Sequence, residues 1–69
     1  MSMQGVRVGR FIVMTDEDGL RHAVKLGTVL AVSDRDECQD ETVLQLPGGR
    51  AVTVRASLDE VLTWLDGPR

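Results

Sequence analysis

The sequence has a single cysteine, a single histidine and no tyrosine, with one phenylalanine and one tryptophan. One cysteine, Cys38, excludes an internal disulfide, and a lone His22 leaves no basis for a zinc site. The usual supplements to a small core are therefore missing. A chain of 69 residues has room for one domain, and such a domain buries only about 60% of its unfolded surface. Both a monomer and a small homo-oligomer fit that limit. No apolar run approaches the roughly 18 residues of a membrane helix, and Met1-Ser2-Met3-Gln4 lacks the basic start and apolar stretch of a signal peptide. A cytoplasmic location without membrane contact is expected, and a free thiol suits a reducing compartment.

The scarcity extends to chemistry. An enzyme needs a nucleophile, an acid and base, or a metal in convergent geometry, and few residues here could supply them. His22 falls at an inward parity of a strand and is expected to be structural. Cys38 stands among Asp34, Asp36, Glu37, Asp40 and Glu41, whose negative charge disfavours a thiolate. Asp34 and Asp36 open like a calcium loop, but Gln39 stands where the glycine is needed and no glutamate closes the loop. Pro47-Gly48-Gly49-Arg50 is too short for a phosphate loop. Trp64 reads as a core-edge residue. No catalysis, cofactor or metal is expected.

What is present is a pattern of short strands and one helix. Hydrophobic residues make up 42% of the chain, enough for a core. Arg7 to Met14 is rich in β-branched residues, with Val6, Val8, Ile12 and Met14 at one parity, and predicts a first strand. Met1 to Gly5 carries no pattern and is expected to lack order. Asp16-Glu17-Asp18-Gly19 supplies a tight turn. Leu20 to Leu26 alternates as a second strand, and Thr28 to Ser33 forms a third beyond Gly27, which is expected to turn the chain. A polar loop leads to strands over Glu41 to Leu46 and Arg50 to Arg55, joined at Pro47-Gly48-Gly49. Ser57 and Glu60 are spaced as a capping box. Leu58, Val61, Leu62 and Leu65 make one apolar stripe of a helix from Leu58 to Asp66, ended by Gly67-Pro68. The expected fold is α+β: a five-stranded antiparallel meander, open or closed like a barrel, with the C-terminal helix packed on it.

Charge is unevenly placed. In a meander, alternate connections lie at one end, which would gather Asp16, Glu17, Asp18, Asp34, Asp36, Glu37, Asp40, Glu41, Asp59 and Glu60. Those are ten of the eleven acids, with only Asp66 elsewhere. Arg7, Arg10, Lys25, Arg50 and Arg69 would fall at the other end, leaving Arg21, Arg35 and Arg55 near the acids. Such a pole opposes direct nucleic-acid binding, because phosphates must be met by lysine or arginine. It suits a protein that occupies a basic, nucleic-acid-binding surface of a partner complex, with those ten acids as the contact set. In size and charge the chain is similar to the small acidic anti-CRISPR inhibitors of phages and mobile elements.

A second resemblance follows the order of the residues. Ile12-x-Met14-Thr15, Gly19, Val24, Val29-x-x-Val32, Glu41-Thr42-Val43-Leu44-x-Leu46, Gly49, Val52-x-Val54 and Ser57-x-x-Glu60-Val61 resemble the FlbD-type small flagellar proteins and their phage relatives. That likeness implies a flagellar accessory role without catalysis. The chain departs from it at Leu26-Gly27, where that family has an asparagine, and in a longer acidic loop. Arg55-Ala56-Ser57-Leu58-Asp59-Glu60-Val61-Leu62 is similar to the end of a LytTR-like DNA-binding domain, which would imply duplex binding.

Overall fold

A computed structural model describes residues 4–66. It contains β1 (Gln4–Val8), β2 (Phe11–Thr15), β3 (Arg21–Lys25), β4 (Ala31–Asp34), β5 (Thr42–Leu46), β6 (Arg50–Val54) and α1 (Leu58–Leu65). The class is α+β, but the single five-stranded meander is corrected to two antiparallel sheets of three strands, β1-β2-β3 and β4-β5-β6. The pattern of apolar parity is satisfied by either arrangement, because it specifies a buried face and says nothing of which strand lies beside which.

The extra strand comes from dividing the first predicted one. Gly9 adopts φ 58° and turns the chain within two residues, so that Val8 pairs with Phe11 and Val6 with Val13. A glycine at the first central position is what a II′ hairpin turn requires. Val6 and Val8 consequently leave the parity of Ile12 and Met14 and face outward. Gln4 and Gly5, expected to lack order, belong to β1. The Gln4 side chain donates to the Thr15 carbonyl at 3.0 Å and accepts from the Thr15 N–H at 3.3 Å. Residues 1–3 lie outside the described residues, as do Gly67 and Pro68.

The other turns follow their chemistry. Asp16 Oδ1 accepts from the N–H groups of Asp18 and Leu20, each at 2.9 Å, and Gly19 supplies φ 84°, so β2 and β3 form a tight hairpin. Gly27 at φ 91° reverses the chain after β3, with the Thr28 N–H and Oγ1 both reaching the Lys25 carbonyl at 3.2 and 2.7 Å. The third predicted strand begins only at Ala31. The linker before it carries the chain to the second sheet, where the Leu30 N–H donates to Gln45 at 2.8 Å. Pro47–Gly49 is a tight turn between β5 and β6, with Gly48 at φ 79° and Gly49 at φ 75°.

The core comprises Ile12, Met14, Val24, Leu44, Leu46, Val52, Val54, Ala56 and Val61. Residues from both sheets and the helix meet in it, each large side chain contributing about 1.5–3 kcal/mol. The sheets are also joined at one end, where Asp16 bridges Val54 and the Glu17 N–H donates to Thr53 at 3.0 Å. Thr42, fully buried, donates its hydroxyl to the Ala56 carbonyl at 2.7 Å. Ser57 Oγ accepts from the Glu60 N–H at 3.2 Å and caps α1. The helix turns Val61 fully inward and packs Trp64 and Leu65 on the core, whereas Leu62, assigned to the buried stripe, is exposed. Trp64 takes its place because Gly5 has no side chain: a Cβ there would lie 2.5 Å from the indole.

Candidate functional site

Register decides which connections share an end. Asp34 pairs with Thr42, and Thr42 with Val54. Val54 bridges Asp16. The turn from Asp16 to Gly19, the loop from Asp34 to Glu41 and the entry to the helix therefore lie together. Gly9-Arg10, the Lys25–Thr28 turn and the Pro47–Gly49 turn lie at the other end, where the Leu26 N–H reaches the Arg10 carbonyl at 2.8 Å. An open depression lined by Asp34, Gln39, Ser57, Leu58 and Asp59 adjoins the loop and the helix start.

The ten acids of this end divide into two groups. Asp16, Glu17 and Glu41 are half-buried, and the other seven are exposed. Asp16 contacts His22 Nε2 at 2.7 Å. That bond, with the Leu20 and Asp18 N–H groups, holds its carboxyl below the ordinary range. Glu17 and Glu41 share one cation: Arg35 Nη1 stands 3.1 Å from Glu17 and 2.6 Å from Glu41. The bond to Glu41, then the charge of Glu17, raises the guanidinium pKa further. Arg55 lies 3.8 Å from Glu41 and its Nη2 donates to the Glu17 carbonyl at 3.4 Å. These three acids thus hold turn, loop and strand together.

Asp18, Asp34, Asp36, Glu37, Asp40, Asp59 and Glu60 remain as the exposed set. Most sit on the loop, which is closed by the Arg35 N–H to the Glu41 carbonyl at 3.0 Å and shaped by Asp36, whose Oδ1 accepts from the Cys38 N–H at 3.0 Å. Gln39 takes φ 60° there. Carboxylates of Asp36 and Asp40 and the Cys38 thiol lie within 4.8 Å of one another. All three are exposed, and the charge of Asp36, then of Asp40, pushes the thiol pKa up. Counting ten acids against Arg21, Arg35 and Arg55 gives −10 + 3 = −7 for this end, while the rest of the chain carries five cations and Asp66, or +4.

The bridging roles of Arg35 and Arg55 were not among the sequence expectations. Arg35 joins its own loop, through Glu41, to Glu17 on another turn, and Arg55 reaches both acids from the end of β6; only the charge signs hinted at the pairing. Among the described residues no helix is long and apolar enough to cross a membrane. No family model, curated protein or solved structure matches the chain.

Proposed function

We propose that the chain is a non-catalytic binding protein whose acidic end docks on a basic protein surface, one that otherwise holds nucleic acid. The observation that carries this reading is the segregation of charge. Seven exposed carboxylates from three converging segments crowd one end of a domain with a net charge of −3. Like charges gathered this closely repel one another, and a basic surface relieves that repulsion. Duplex DNA presents one charge per about 1.7 Å of axis, so a groove shaped for phosphates offers cations in a dense row. Carboxylates on a short, internally bonded loop meet such a row with little ordering cost. The potential of the whole end also speeds encounter.

Asp34, Asp36, Glu37 and Asp40 are the recognition set, with Asp18, Asp59 and Glu60 at its margin. Asp16, Glu17 and Glu41 act on the fold of the site. The test is ionic strength. A partner captured at about 0.05 M salt is expected to dissociate near 0.5 M, where the screening length falls to about 4 Å. Nucleic acid added at low salt is expected to displace the protein from that partner. Salt-independent binding, or simultaneous binding with nucleic acid, would refute the reading.

A further inference from the structure

The outer face of the β1-β2-β3 sheet has the opposite chemistry to the acidic end. Pairing of Val6 with Val13, Val8 with Phe11, Val13 with Ala23 and Phe11 with Lys25 puts these side chains on one face. Val6, Val8 and Phe11 are 40%, 57% and 45% exposed, although the inward residues Ile12 and Met14 between them are fully buried. Arg21 and Lys25 stand on the β3 side of this face, and Arg10 occupies the turn at its end. No carboxylate lies among these residues. The shallow depression on it is lined by Val13, Gly19, Leu20, Arg21, His22 and Ala23, again without an acid.

We propose that this face docks a short amphipathic helical segment of a partner protein, apolar along one side and acidic along its flanks. Size argues against a second copy. Three strands spaced at about 4.8 Å and five residues at about 3.4 Å give roughly 240 Å², whereas a stable interface buries about 800 Å² on each side. A helix about 10 Å wide covers such a patch with roughly eleven residues. Charge decides the flanks. Lysine or arginine there would face Arg21 and Lys25, and glutamate would pair with them. The inference stands apart from the acidic-end reading, since none of the exposed carboxylates of that end is used, although Arg21 lies at the boundary of the two surfaces.

Two twelve-residue helical peptides with the same leucine stripe, one flanked by glutamate and one by lysine, make the probes. Each is titrated into the ¹⁵N-labelled full chain at low salt. The glutamate peptide is expected to shift the amides of Val6 to Val13 and Arg21 to Lys25. It should bind this face at least tenfold tighter than the lysine peptide. Phe11→Glu is expected to weaken it at least tenfold without changing the melting curve, because Phe11 points away from the core. The double variant Arg21→Glu/Lys25→Glu is expected to reverse the preference between the peptides. Absence of shifts on this face would overturn the proposal, as would equal binding of the two peptides there. Light scattering that shows a dimer dissolved by Phe11→Glu would assign the face to a second copy and overturn it too.

Discussion

Replacing Gly5 by alanine tests the closest approach between strand and helix. Gly5 has φ +71°, and a Cβ would stand 2.5 Å from Trp64 Cδ1 and Nε1 and 2.6 Å from Cγ. Two costs arise. A side chain in left-handed backbone costs about 1–2 kcal/mol, and overpacking against a ring adds about 1–3 kcal/mol. Their sum, about 2–5 kcal/mol, is large beside the roughly 0.05–0.15 kcal/mol per residue that holds small domains folded. At about 4–8 °C per kcal/mol, Gly5→Ala is expected to lower Tm by about 8–40 °C, read by circular dichroism. Gly9→Ala is the control. Gly9 has φ +58° but nothing within 4 Å of the added carbon, so it should show only the backbone cost. Trp64→Leu should recover part of the Gly5→Ala loss, measured as a coupling in a double-mutant cycle. Equal losses for the two glycine variants, with no coupling to Trp64, would refute the close approach.

Other expectations concern the interior and the turn. Thr42→Val keeps the shape of a buried side chain but leaves the Ala56 carbonyl without its 2.7 Å donor; a loss of about 1–3 kcal/mol in denaturant unfolding is expected. Asp16 has a depressed pKa in the fold, so its contribution is present above the unfolded carboxylate value, near 3.9. It is lost as pH falls through the lower folded value. Asp16→Asn is therefore expected to destabilise the chain at neutral pH and flatten the acid limb of its stability curve. An unchanged acid limb would show that the contact with His22 contributes nothing.

The readable parts of the fold were those with local chemistry. Ser57 before Leu58, Asp16 with Gly19, and the glycines after Pro47 each announce a cap or turn through groups that bond within a few residues. Gly9-Arg10 announced little, because Val6 and Val8 before it and Ile12 and Met14 after it keep one parity. The resulting reversal exposed Val6 and Val8, an outcome no parity argument could reach. Separation into two sheets was equally hidden: the path from Gly27 to Leu30 depends on where Gln45 lies. Trp64 lies at the core edge as its place beside the stripe implies, but Leu62 is exposed, and the room for the indole comes from a glycine far away in sequence. Placement of the acids was more legible. The additional hairpin precedes Asp16 and so leaves the alternation of later connections unchanged. Which acids would be drawn into the fold was not legible, since Arg35 reaches Glu17 across β3, the linker and β4.

The central claim is tested most directly by low-salt affinity capture with mass spectrometry. Wild type is compared with the quadruple variant Asp34→Ser, Asp36→Ser, Glu37→Ser and Asp40→Ser. Glu41 is left intact because it holds Arg35, and an unchanged melting curve verifies the fold. The account predicts that wild type retains a nucleic-acid-binding complex and that the variant loses it. Capture of the same complex by both proteins would contradict the account and reduce the acidic loop to a solvated turn.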